Sequence, residues 1–215
     1  MVQKPSAAVT TLTSNAETAL REVAKEAAHC RRCPLYKLGT QTVFGAGPAD
    51  ASVMIVGEQP GDVEDRQGLP FVGPAGRMLD HALESAGLRR DCLYVTNAVK
   101  HFKHVVTGKR RLHQKPNAYE IDRCKWWLDQ ELDIIDPELA VAMGATAARS
   151  LIGKPIKIGT ARGNVLHLPS GRPVLVTIHP SALLRLRDSE SRAVEFARFV
   201  ADLRRVGEIV PSVRT

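Results

Sequence analysis

Four short aliphatic runs, at 52–57, 93–96, 139–143 and 174–178, constrain this chain more than any other feature. They are apolar at successive positions rather than at alternate ones, so both faces of each must be buried, as in the interior of a parallel sheet. Helical patterns fill the intervals. Met78, Leu79, Ala82, Leu83 and Ala86 mark a stripe over 75–86, closed by Gly87. Asn117 and Glu120 form a capping box before the stripe Ile121, Cys124, Leu128, Leu132 and Ile135. An alanine-rich helix follows Gly144, and Val194, Ala197, Val200, Ala201 and Leu203 define a last helix over 188–206. Strand–helix alternation predicts a three-layer α/β/α sandwich around a short four-stranded parallel sheet, with a short edge strand at 165–168. With 215 residues there is material for one core.

That core is expected within 14–206. Ser14 and Glu17 suggest a capping box opening a helix through Leu20, Val23, Ala24, Ala27 and Ala28. Residues 1–13 read as a disordered tail, 207–215 as a C-terminal tail, and 34–50, 58–74 and 97–115 as loops. No apolar run reaches the roughly 18 residues of a membrane span, and no secretory signal is visible. The expectation is a cytoplasmic protein that uses no membrane. No long surface coiled coil suggests an oligomer, so a monomer is expected.

Thirty Lys and Arg against 23 Asp and Glu leave a net charge of +7. A basic domain favours a polyanion, nucleic acid first. The distribution adds weight: Lys100, Lys103, Lys109, Arg110, Arg111 and Lys115 fall within sixteen residues that hold three histidines and no acid. A solvated loop and a phosphate-tracking loop both fit that pattern.

Cys30 and Cys33 form a Cys-x2-Cys pair followed by Pro34. The pair follows a helical stretch rather than a buried strand, which suits a metal or cluster better than a redox dithiol. Cys124, inside a helix, reads as either ligand or core. Cys92, at a strand start, reads as a small buried hydrophobe. A fourth ligand would have to be one of the seven histidines.

In parallel sheets ligands bind beyond the carboxyl ends of the strands. Four segments leave those ends: Glu58-Gln59-Pro60-Gly61-Asp62, Asn97, Gly144-Ala145-Thr146 and His179-Pro180-Ser181. The first lacks both G-x-G-x-x-G and the Walker spacing, which disfavours a nucleotide-cofactor enzyme.

The order of motifs resembles the uracil-DNA glycosylase superfamily, in particular its iron–sulfur branch, over about residues 28–206. The resemblance is carried by Cys30-x2-Cys33-Pro34, Phe44-Gly45-Ala46-Gly47, Gly57-Glu58-Gln59-Pro60-Gly61, residues 70–76 (Pro-Phe-Val-Gly-Pro-Ala-Gly), Thr96-Asn97 and His179-Pro180-Ser181. Two departures narrow it. Lys100-His101-Phe102 stands where that branch carries a cysteine, and Lys109-Arg110-Arg111-Leu112-His113 lengthens the following loop. Both resemble the UdgX subgroup, whose members stay covalently joined to DNA after excising uracil; Leu112 replaces an isoleucine of that motif.

The resemblance implies roles. Phe71 would stack on a flipped uracil. Asn97 would read its edge, with Asp62 and Gln59 also at the substrate; Gln59 could equally serve a backbone group. His179 would donate toward the uracil O2 as charge develops there. Lys109, Arg110, Arg111 and Ser181 would hold phosphate, and Leu183, Leu184 and Arg185 would enter the vacated space in the duplex. His113 would capture C1′ of the sugar, oriented by Glu58. Cys30, Cys33, Cys124 and, in place of a cysteine, His101 would hold a 4Fe-4S cluster, with zinc as the alternative. The implied partner is uracil-containing DNA, preferably single-stranded, in a bacterial cell. A multiple-turnover uracil-DNA glycosylase and a non-catalytic binder of uracil or damaged DNA remain the competing readings, with a zinc-stabilised structural module behind them.

Overall fold

The computed structural model describes the backbone of residues 7–215 and the side chains of 14–215. In chain order the elements are α1 (Ala7–Ala28), β1 (Val53–Gly57), α2 (Asp62–Gln67), α3 (Pro74–Ala86), β2 (Leu93–Asn97), β3 (His104–Thr107), β4 (Arg110–His113), α4 (Ala118–Ile135), β5 (Leu139–Met143), α5 (Ala145–Ile152), α6 (Ile158–Ala161), β6 (Val165–His167), β7 (Pro173–Thr177), α7 (Ser181–Arg185) and α8 (Ser189–Ile209).

The sheet runs β2-β1-β5-β7-β6. The four aliphatic runs pair in parallel, and β6 closes the edge antiparallel to β7. Every residue of β1, β2 and β5 is buried, as continuous apolar runs require. Alternate residues separate two cores. Val53, Ile55, Val95, Val141 and Leu175 meet Leu79 and Leu83 of α3 and Phe199 and Leu203 of α8. Met54, Val56, Ala140, Ala142 and Val176 meet Leu128 and Leu132 of α4 and Ala147, Ala148 and Leu151 of α5. This is the three-layer α/β/α sandwich that the pattern predicts. No helix among the described residues is long and apolar enough to cross a membrane.

Four expectations need correction. Helix α1 begins at Ala7 and not at Ser14, whose carbonyl instead accepts a hydrogen bond from Thr18 Oγ1 at 2.9 Å. Of the expected N-terminal tail, 1–6 lie outside the described residues and 7–13 are helical. The C-terminal segment is docked rather than a tail. Val210 and Val213 are buried, Arg89 N–H donates to the Val213 carbonyl at 2.9 Å, and Thr215 N–H to that of Gly87 at 3.0 Å. The stretch 58–74 contains α2, an acidic helix with no apolar stripe to betray it. The basic stretch is a β-hairpin, β3–β4, in register His104↔His113 to Thr107↔Arg110 and turning at Gly108, φ +58°.

Candidate active site

The carboxyl ends of β1, β2, β5 and β7 open into one cleft of about 860 Å³, with the hairpin and α7 on its rim. Gly57 ends β1 directly opposite Asn97 at the end of β2. A β-carbon at Gly57 would lie 2.4 Å from Asn97 Oδ1 and 2.6 Å from Phe71 Cζ, so glycine is what lets these two side chains share the floor. Phe71 has φ +56°, a conformation rarely adopted by an aromatic residue. Close packing sustains it: a β-carbon at Gly76 would overlap the Phe71 carbonyl, 1.8 Å away.

His179 faces Phe71 with ring centroids 6.0 Å apart. Ser181 N–H donates to His179 Nδ1 at 3.2 Å, and Ser181 Oγ lies 2.8 Å from the same nitrogen. A backbone N–H can only donate, so Nδ1 is the acceptor and Nε2 carries the proton. Burial pushes this imidazole down to about 4, against the pull of Glu58. At neutral pH His179 is therefore an uncharged N–H donor.

Glu58 lies across the cleft, its Oε2 accepting from Thr146 Oγ1 at 2.5 Å and its Oε1 3.3 Å from His113 Nε2. Burial opposes its ionisation, but the contacts with His113 and Thr146 prevail and hold the carboxyl below the usual carboxylate range.

The hairpin that carries His113 is fastened from beneath. Gln59 Nε2 donates to the carbonyls of Lys103 (3.1 Å) and Gln114 (3.2 Å), and Gln59 Oε1 accepts from Lys103 N–H at 3.2 Å. Both ends of its amide are thus engaged with the backbone on either side of the hairpin. Arg111 points inward, onto the carboxylates of Asp62 and Asp65 and over the Phe102 ring, 5.4 Å from its centroid. Its charge is therefore neutralised within the protein, and Asp62 serves as its anchor. Lys109 and Arg110 stand exposed at the hairpin tip. At the other rim, Ser181, Leu184 and Arg185 line the cleft. Leu183 is fully buried and does not reach it.

Cys30, Cys33 and Cys124 gather in one apolar cluster with Leu35, Ile121 and Trp127. Trp127 Nε1 donates to Cys30 Sγ and Lys100 N–H to Cys124 Sγ, each at 3.1 Å. Burial pushes the Cys124 thiol up to about 12 and raises that of Cys33. His101 is buried beside Gly39, with Nε2 3.1 Å from Thr42 Oγ1. Among the described residues no three Cys, His, Asp or Glu side chains approach closely enough to hold a single metal ion. Cys92 is only partly buried, against the core edge beside Arg89.

One network escaped the sequence reading. Lys100 and Glu131 form a completely buried ion pair at 2.5 Å. Lys100 Nζ also donates to Thr96 Oγ1 (2.6 Å) and the Asn97 carbonyl (2.8 Å), and Glu131 accepts from Tyr94 Oη (3.0 Å) and Gly45 N–H (2.9 Å). The signal was available: Glu131 falls on the apolar stripe of α4, where a carboxylate needs a buried partner.

A phenyl ring, an amide, an uncharged imidazole donor and an ionised carboxylate thus line one cleft on an α/β domain. The chain matches the uracil DNA glycosylase superfamily over residues 44–204, and it belongs to that superfamily. It is 36% identical over 179 residues to a Type-4 uracil-DNA glycosylase of Thermotoga maritima, covering 83% of this chain and 90% of the relative. A Type-4 enzyme of Archaeoglobus fulgidus is 32% identical over 200 residues, covering 88% and 92%. A Type-5 uracil-DNA glycosylase of Pyrobaculum aerophilum is 34% identical over 155 residues, covering 64% of each chain.

Proposed function

We propose that this chain excises uracil from DNA, single-stranded DNA by preference, as a base-excision repair glycosylase. The observation that carries this is the convergence of Phe71, Asn97, His179 and an ionised Glu58 on one cleft. Cleavage of the glycosidic bond leaves negative charge on the base and positive charge on the sugar. His179 Nε2–H answers the first as a preorganised donor, and the Glu58 carboxylate answers the second. Phe71 offers a face to the flipped base and Asn97 an amide to its edge. The names of the relatives favour the ordinary multiple-turnover enzyme.

A second reading rests on a specific contact, His113 Nε2 against Glu58. A histidine held beside the developing sugar cation competes with water at a large intramolecular advantage. The Nε2–C1′ bond forms as the glycosidic electron pair leaves with uracil, and Glu58 accepts the Nε2 proton. The adduct would end the reaction after one event.

Incubation with a single-stranded uracil oligonucleotide, followed by denaturation and electrophoresis, separates the outcomes. Abasic product without a shifted band supports turnover, a retained band supports capture, and neither leaves only a binder.

The three cysteines fit a thiolate-bound cluster. They gather in one apolar cluster, Cys33 and Cys124 buried and Cys30 partly so, and two of them accept N–H hydrogen bonds of the kind that stabilise cluster sulfurs. Cys30, Cys33 and Cys124 would hold it, with His101 as fourth ligand. When bound it supplies a crosslink between the N-terminal segment, the start of the hairpin and α4. Metal and sulfide analysis of anaerobically purified protein is expected to give about four irons per chain; zinc without sulfide would overturn the assignment.

A further inference from the structure

Outside the cleft the molecule carries a second surface that the reaction does not use. Tyr119, Arg123 and Trp126 sit at i, i+4 and i+7 on the solvent side of α4. Tyr119 and Trp126 are about half exposed, at 53% and 49%. The Arg123 guanidinium lies over the Tyr119 ring (5.6 Å), and that of Arg32 over Trp126 (4.8 Å). Arg31 continues the row over Tyr36 (5.8 Å), which Lys37 flanks at the same distance. Among the described residues none of these four cations is within salt-bridge distance of a carboxylate, although Arg21, Arg66, Arg90, Arg149, Arg172 and Arg198 all are. The chain has only three tyrosines and two tryptophans, and this surface holds two of the first and one of the second.

The row is continuous with the cleft. Lys115 lines the cleft, and every residue from Leu112 to Tyr119 except Pro116 is exposed. Tyr119 is four positions beyond Lys115, at most about 14 Å of chain. Tyr119 to Trp126 is about 10 Å along a helix. Unpaired cations interleaved with exposed aromatic faces are what single-stranded nucleic acid requires: charge for the backbone, and rings on which bases of any sequence can stack. A duplex, with its bases already stacked, gains nothing from the rings.

We infer that Tyr119, Trp126 and Tyr36, with Arg123, Arg32 and Arg31, form a second DNA contact, a stacking strip that holds the unpaired strand flanking the nucleotide in the cleft. This rests on the nucleic-acid reading of the cleft but not on its chemistry.

The test uses the full chain and uracil-free thymidine homopolymers of about 5 and about 15 nucleotides, the range of single-strand binding sites. Fluorescence anisotropy gives the gain in affinity from short to long strand; tryptophan emission reports stacking on Trp126, since Trp127 is buried. Tyr119→Ala/Trp126→Ala is expected to cut the long-strand gain at least fivefold and abolish quenching, whereas Trp126→Phe, which keeps a stacking face, retains most of both. Arg32→Ala/Arg123→Ala is expected to flatten the salt dependence for the long strand by roughly 1.4 in log–log slope. An unchanged length gain in the aromatic variant, with circular dichroism showing it folded, would overturn the strip. Uracil excision assayed alongside keeps the two readings apart: a wild type that excises uracil but gains no affinity from the longer strand sinks the strip alone. A length effect on the wild type that depends on these residues, without excision, sinks the glycosylase and leaves the strip standing.

Discussion

His179 binds no proton until about pH 4, whereas in the unfolded chain it does so near pH 6.5. Between those values the unfolded state takes up a proton that the folded state refuses, so stability falls as pH drops through that window. The size expected is about 3 kcal/mol from a shift of this order. Denaturant melts at pH 7 and pH 4.5 should show a smaller loss in His179→Gln, which cannot titrate, than in the wild type. His113 and Glu58 separate in a different way. If capture operates, His113→Ser is expected to abolish the denaturation-resistant adduct while water attacks the same cation, leaving free uracil and an abasic site on the gel. Glu58→Gln is expected to lower adduct yield with His113 still present. An adduct persisting at wild-type yield in His113→Ser would remove histidine capture from consideration.

The hairpin shows how an element can make a residue's chemistry depend on contacts far from it in sequence. Gln59 fastens its base and Arg111 its inward face, so His113 is held opposite Glu58 rather than sampling the positions open to a loop. Gln59→Leu is expected to accelerate amide hydrogen exchange across 104–113 tenfold or more, a change near 1.4 kcal/mol in local opening, without changing the global melt to a similar extent. Arg111→Ala leaves the buried Asp65 without a cationic partner and Asp62 with Arg66 alone, and is expected to cost more stability as well. The pairing of Glu58 with His113, and a backbone role for Gln59 as one of two alternatives, were expected from the sequence; the hairpin itself and the anchoring of Arg111 were not legible beforehand. The hairpin strands are four residues each and largely solvent-facing, so no alternation of apolar and polar marks them, and Thr107-Gly108 is a weak turn signal. Strands β1, β2, β5 and β7 were legible because burial on both faces writes itself as uninterrupted aliphatic sequence. The same holds for the cleft: its rim follows from where those strands end, and the motifs there named Glu58, Asn97 and His179. The partners of Gln59 and Arg111 could not be read, because a pairing between positions 59 and 103 or 62 and 111 leaves no periodic trace in one sequence.

Across the whole molecule, the Lys100–Glu131 pair ties the cysteine cluster to the Asn97 end of the cleft. Lys100 reaches Cys124 through its backbone and the Asn97 carbonyl through its side chain. Removing one partner strands a buried charge. Lys100→Met is expected to destabilise by about 3–5 kcal/mol, and the double variant Lys100→Met/Glu131→Leu to recover much of that loss. Thermal melts of the two variants test it; a double variant no more stable than the single would show that the pair stabilises in its own right.

The order β2-β1-β5-β7 has a consequence for the making of the protein. β1 leaves the ribosome early, yet its second neighbour, β5, starts at Leu139, 86 residues after Val53 (139 − 53). Pairing so distant in sequence closes slowly. Until β7 arrives, β5 presents a bare apolar edge and the cleft has no His179. A chain interrupted before residue 173 would therefore be both inactive and prone to edge-to-edge aggregation. Such a fragment would carry Glu58, Asn97 and the hairpin but not His179, so the cleft is complete only once most of the polypeptide has been synthesised.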